Sequence, residues 1–232
     1  MIRGMSADPI DRSMTALGAL DEPTRRRLYL FVRAAGHPVT RDEGAAHAGI
    51  NRKLAAFHLD RLTDAGLLVA GARPTGAKRG RGRAPKTYEP SGVALDVSIP
   101  PRRYDLVGEL LATAIQECAD DERPADAALR VAFERGRELG HDARPASPTA
   151  RGFAKREIAL LEDHGYEPVR DEGRIVLRSC PFDAIARSAP ELICGMNRAL
   201  LDGALRGIGD SATEAILEPA PGRCCVELRA KA

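Results

Sequence analysis

The segment NRKLAAFHLDRLTDAGLLV, residues 51–69, decides how this chain is read. Ala55, Leu59 and Leu62 recur at intervals of four and three, which puts them on one buried face of a helix running from Asn51 to about Ala65. The opposite face carries Lys53, Phe57 and Arg61, and Asn51 and Arg52 stand at the helix start. Gly66 closes the helix. Leu67-Leu68-Val69 then reads as a short strand, with Thr87-Tyr88-Glu89 as its antiparallel partner. Between them the chain is one-signed: from Arg73 to Lys86 it has six basic residues (Arg73, Lys78, Arg79, Arg81, Arg83, Lys86) and no acidic one. A solvated loop seldom stays so uniformly charged. The glycines in Arg79-Gly80-Arg81-Gly82-Arg83 let the backbone come close to a groove, and arginine is the side chain a narrow minor groove attracts.

Upstream, a polar leader of about a dozen residues precedes a short amphipathic helix marked by Met14, Leu17 and Leu20. Pro23 suits the first turn of a second helix, whose apolar stripe is Leu28, Phe31 and Val32. Thr40, with Glu43 three residues on, fits a capping box for a third helix that runs to about His47 and ends at Gly49. Short helices, a sharp turn and then a basic hairpin are the order of a winged helix-turn-helix. In that motif the second helix of the pair lies in the major groove. The residues expected to meet bases and phosphates of duplex DNA are therefore Asn51, Arg52, Lys53, Phe57 and Arg61 of the helix and Lys78, Arg79, Arg81, Arg83 and Lys86 of the hairpin. An ordinary solvated helix face explains the first group alone but not the second.

Charge distribution supports a polyanionic partner for one half only. The chain carries a formal +2, yet Met1 to Arg103 holds 18 Lys and Arg against 10 Asp and Glu, a net of +8, and Tyr104 to Ala232 holds 17 against 23, a net of −6. With 44% hydrophobic and 29% charged residues the composition is that of a globular protein, and 232 residues suffice for more than one core. Aromatic residues are only 4%, so the cores must be built from Leu, Ala, Val and Ile, which favours helices. No run of about 18 apolar residues is present and the N-terminus lacks an apolar signal stretch, so a cytoplasmic protein without a membrane partner is expected.

Beyond residue 100 two helical stretches follow, one marked by Leu106, Leu110, Leu111 and Ala114, the other by Ala128, Val131, Ala132 and Leu139. Their apolar faces are expected to form a connector and dimer contact. A homodimer would match an inverted-repeat operator, since two-fold protein symmetry calls for two half-sites. The Pro- and Ala-rich stretch from Arg144 to Ala150 reads as a linker. After it come a helix over Ala154, Ile158 and Leu161, a hairpin over 167–179, a helix from Leu192 to Ile208 and two last strands, over about 214–218 and 224–229. The expected architecture is α+β: a winged helix-turn-helix over 1–100, a helical connector and dimerisation region over 101–150, and a small domain with an antiparallel sheet over 151–232.

Five cysteines in a reducing compartment are thiols, metal ligands or redox sensors rather than a disulfide framework. Cys118, among Ala114, Ile115 and Gln116, reads as a small core hydrophobe. Cys180, Cys194 and Cys224, with Cys225 as a further candidate, fall in separate elements of one small domain. They suit an iron-sulfur cluster, a zinc site or a redox switch, with Cys225, His141, His164 or an external group as fourth ligand. No C-x-x-C clamp is present, the spacings being 13 and 29 intervening residues, so core cysteines beside a small-molecule pocket are the competing reading. An enzyme with Cys180 as nucleophile and His164 or His141 as base is disfavoured, because neither a nucleophile motif nor a glycine-rich phosphate loop is found.

Ala56-Phe57-His58-Leu59-Asp60-Arg61-Leu62, followed by Ala65-Gly66-Leu67-Leu68, resembles the recognition helix and wing entry of ArsR-like winged-helix regulators, and Arg25-Arg26-Arg27-Leu28 after Asp21-Glu22-Pro23-Thr24 resembles their second helix. More narrowly, the chain is similar to the SufR-like repressors of iron-sulfur cluster assembly genes. That similarity extends through Ser179-Cys180-Pro181-Phe182, Pro190-Glu191-Leu192-Ile193-Cys194 and Gly222-Arg223-Cys224-Cys225. The resemblance implies a dimeric transcriptional regulator with an iron-sulfur cluster held by dispersed cysteines, and a packing or capping role for His58.

Overall fold

A computed structural model describes residues 9–72, 85–144 and 149–231. Among the described residues the chain is α+β, with two small antiparallel sheets. It divides into two compact units, residues 1–97 and 98–232.

In the first unit, α1 (Pro9–Asp21) begins earlier than the apolar pattern foretells, because its first turns are polar. It is followed by α2 (Pro23–Ala34), β1 (Val39–Thr40), α3 (Arg41–Ala48), α4 (Arg52–Asp64), β2 (Leu68–Ala72) and β3 (Lys86–Pro90). Glu22 caps α2 by accepting from the amides of Thr24 and Arg25. Thr40 and Glu43 form the reciprocal capping box at the start of α3, and Gly49, in the left-handed region at φ 65°, makes the turn into α4. The core joins Leu28 and Val32 of α2 to Leu59 and Leu62 of α4 and to Leu67, Leu68 and Tyr88. Fully burying side chains such as Leu28, Leu59 and Leu62 contributes roughly 1.5–3 kcal/mol each. The sheet order is β1-β3-β2; β1 escapes a periodicity reading because it is only two residues long.

The second unit contains α5 (Tyr104–Glu117), α6 (Pro124–Asp142), α7 (Ala150–Asp163), β4 (Pro168–Asp171), β5 (Arg174–Leu177), α8 (Asp183–Ser188), α9 (Pro190–Ile208), β6 (Thr213–Leu217) and β7 (Val226–Ala230). The sheet order is β4-β5-β7-β6, antiparallel throughout. Glu172 and Gly173, both at positive φ, form the two-residue β4–β5 turn; such turns match the right-handed twist of the flanking strands.

Two sequence expectations change here. The helices read as a separate connector belong to the same compact unit as the cysteine-bearing segment, and residues 145–148 of the expected linker lie outside the described residues. Leu106, Leu110 and Val131, expected at a dimer contact, are buried inside this unit against Ile193, Met196 and Leu200 of α9. Leu111 and Leu139 also pack on cores, partly buried. An apolar period identifies a face that will be covered but not what covers it.

α6 packs parallel to α9, backbone close against backbone. A Cβ at Gly136 or Gly140 would sit well under 3.0 Å from the carbonyl oxygen of Leu200 or Ala204, and one at Gly203 or Gly207 equally close to that of Phe133 or Arg137. With hydrogens where Cβ would stand, backbone meets backbone in the geometry of Cα–H···O contacts.

Candidate functional site

On α4 the inward face is Ala55, His58, Leu59 and Leu62, and Asn51, Arg52, Lys53, Leu54, Phe57 and Arg61 are exposed. Asn51 is the N-cap, its Oδ1 accepting from the amide of Leu54 at 2.9 Å. Phe57 keeps 50% of its surface exposed, and the Arg61 guanidinium lies 5.6 Å from its ring centroid. An exposed aromatic flanked by cations can contact a nucleic acid through its apolar face while the cations meet phosphates or base edges.

Two of the cations have protein partners. Arg52 pairs with Asp42 of α3 at 2.8 Å, on the surface. Lys86 donates to Asp60 at 2.6 Å, within a cluster in which Tyr88 donates to Asp60 at 2.7 Å and Arg41 reaches Asp60 at 2.9 Å and the Tyr88 hydroxyl at 2.8 Å. Burial raises the Asp60 pKa, but hydrogen bonds from Lys86 and Tyr88 outweigh it and hold the carboxyl below its ordinary value. This cluster ties β3 to α4, so Lys86 is committed to Asp60 rather than standing free. Lys78, Arg79, Arg81 and Arg83 lie outside the described residues. His58 is buried with Nδ1 3.4 Å from the Glu22 carboxylate that caps α2, too poorly aligned for a hydrogen bond.

In the second unit four thiols come together from distant positions. Cys180 follows β5, Cys194 lies in the early turns of α9, and Cys224 and Cys225 precede β7. The thiols stand near enough to influence one another's titration, Cys180 with Cys224, Cys224 with Cys225, and Cys225 with Cys194. All are free thiols. The Cys224 hydrogen bond and burial push the Cys180 pKa well up, and burial raises that of Cys194 despite the bond from Cys225. At Cys224 the bond from Cys180 favours the thiolate, but the bond to Cys225 and burial prevail and push it up to about 12. Their surroundings thus hold these groups toward the thiol form.

The thiols rest on a buried polar pair absent from the sequence reading. Tyr166 donates to Asn197 Oδ1, and Asn197 Nδ2 donates to Cys224 Sγ at 3.2 Å. Asn197 was detectable as a polar residue on the apolar stripe of α9, between Ile193 and Leu200. Arg102 donates to the Cys180 carbonyl at 2.5 Å and so fixes the loop that carries the thiol. Among the described residues no set of three or more His, Cys, Asp or Glu stands in an arrangement that could hold a metal ion. Cys118 lies just past the end of α5, its thiol 3.3 Å from the Glu122 carbonyl. His164 Nδ1 lies 2.8 Å from the Leu160 carbonyl and His141 is on the surface beside Asp142.

The chain matches no model of a known protein family and no curated protein sequence. Among the described residues no helix is long and apolar enough to cross a membrane.

Proposed function

We propose that this chain is a DNA-binding transcriptional regulator of the ArsR-like, SufR-like kind, its first unit a winged helix-turn-helix. The observation that carries the reading is the exposed face of α4, Lys53, Phe57 and Arg61, beside a hairpin whose connecting segment is uniformly basic. In this reading α4 enters the major groove, Arg61 and Lys53 meet bases, and the wing arginines meet phosphates and the minor groove. The reading includes a homodimer on an inverted repeat. With Leu106 and Leu110 internal, its contact falls on the outer face of α5, where Tyr104, Gly108, Ala112 and Ile115 are exposed, the last at 74%.

Binding to a duplex library at two salt concentrations tests it. Substituting Lys53 or Arg61 with Ala is expected to shift base preference, at about 1–3 kcal/mol for a side chain making a bidentate base contact. Replacing Arg79, Arg81 and Arg83 together should weaken binding to all sequences and flatten its salt dependence. Indifference to both sets of changes would refute the reading.

The signal in this reading is received by the thiols. Their donor chemistry suits an iron-sulfur cluster, which Cys180, Cys194 and Cys224 would hold, with Cys225 adjacent, once their protons leave and the side chains turn to a common centre. When bound, the cluster would supply an oxygen-sensitive link between the sheet and α9. Protein purified without oxygen is then expected to be brown, and Cys180→Ser or Cys194→Ser to abolish the colour where Cys118→Ser does not. Colourless, iron-free protein would leave an organic ligand as the signal.

A further inference from the structure

A cavity of about 370 Å³ opens against the second sheet, lined by residues of α7, the β4–β5 hairpin, the turn from α9 into β6, and the end of β7. Its floor is unusual. Glu157 of α7 retains only 5% of its surface, and its Oε1 is buried with no hydrogen-bond donor. Asp210, in the turn after α9, is also buried; its Oδ1 accepts from the amide of Ala212 at 2.7 Å and its carboxylate shares a hydrogen bond with Glu157. The remaining charged groups on the walls are Arg170 of β4, exposed, and Arg229 of β7, committed to Glu227 and Glu218. Phe153, Ile175 and Leu228 supply apolar surface.

Two buried carboxyls side by side cannot both ionise without a cation between them. In the free protein a proton fills that place: burial and then the Asp210 neighbour raise the Glu157 pKa to about 8, against a smaller opposing effect of Arg170. The volume lies within the range of ligand pockets and, with apolar walls, exceeds what a bare ion needs. We propose that this cavity binds a small organic cation with N–H donors, an amidinium, guanidinium or protonated amine, whose head takes the place of the shared proton between Glu157 and Asp210. The balance is one for one: the ligand brings one positive charge, Glu157 releases one proton to solvent, and the net charge of the site is unchanged.

The inference is independent of DNA binding and is tested without DNA, with benzamidine as the cationic probe and benzamide as its neutral isostere, by calorimetry on the full chain. Benzamidinium is expected to bind saturably, with proton release, and at least about tenfold more tightly at about pH 9 than at about pH 6, because affinity follows the ionised fraction of Glu157. Benzamide should bind much more weakly. Glu157→Gln, isosteric with the protonated acid, should fold normally and lose the pH dependence with most of the affinity. Arg170→Ala, at an exposed position, should tighten binding several-fold by removing a competing cation, and decides the matter if Glu157→Gln does not melt cooperatively. Absence of benzamidinium binding, equal binding of benzamide, displacement of the probe by magnesium ions, or unchanged binding in Glu157→Gln or Arg170→Ala would each overturn the proposal.

Discussion

Gly140→Ala is expected to destabilise the second unit by about 3 kcal/mol or more, at the upper end of what overpacking costs. The added methyl would enter the space of the Ala204 carbonyl, and on α9 the neighbouring Ile208 amide leaves it no room to move. Relief requires the two helices to part along their length, which would also uncover the apolar surface of Ile193, Met196 and Leu200. Gly203→Ala should cost a similar amount from the opposite side, by meeting the Phe133 carbonyl. Gly18→Ala is the control. Nothing stands within 4 Å of its Cβ position, which is exposed on α1, so alanine's better helix propensity should make it neutral or stabilising by up to about 1 kcal/mol. Denaturant titrations followed by circular dichroism measure all three, and a loss of under about 1 kcal/mol for Gly140→Ala would mean that the helices separate easily.

The second large effect is expected at Glu227. This residue of β7 has no exposed surface, and its carboxylate receives Arg223 at 2.6 Å, Arg229, and Arg174 at 3.5 Å. Removing one partner of a buried ion pair costs about 3–5 kcal/mol, because the surviving charges lose what offset their desolvation. Glu227→Ala should approach that range, moderated because Arg229 and Arg174 are partly exposed and can turn to water. The pH profile gives a second reading of the same group. Burial alone would raise its pKa, but the hydrogen bonds from Arg223 and Arg229 prevail and hold it below the ordinary 4.5. Its contribution is therefore present above pH 4.5 and is lost as pH falls through the depressed folded value. The variant should show a flatter loss of stability on the acid side; a variant that melts like the parent at neutral pH would show the cluster to be mere surface decoration.

Glu227 marks where sequence reading stops. The helix over Arg52–Asp64 is legible because Ala55, Leu59 and Leu62 are local and periodic, and so are the capping box of Thr40 with Glu43 and the hairpin of Leu68–Ala72 with Lys86–Pro90. Strict alternation along Val226-Glu227-Leu228 correctly gives Glu227 the face opposite the core, yet that face is roofed by arginines from β5, β7 and the preceding loop. Burial made by residues so far apart leaves no period. The i, i+4 glycines of α6 and α9 do leave one, Gly136 with Gly140 and Gly203 with Gly207, and a search for small-residue spacing would have paired the helices. The thiols were legible as a set but not which influences which, and Glu157 is invisible to pattern because an acid on an amphipathic helix reads as solvated.

The glycine-meshed helices also have a mechanical meaning. Cys194 lies near one end of α9 and Asp210 just past the other, about 24 Å apart at the helical rise of roughly 1.5 Å per residue. Helices in backbone contact have no soft side-chain layer in which one can slip over the other, so α6 and α9 behave as a single plank. A tilt of that plank would carry Cys194 near one end and Asp210 past the other together, as one body.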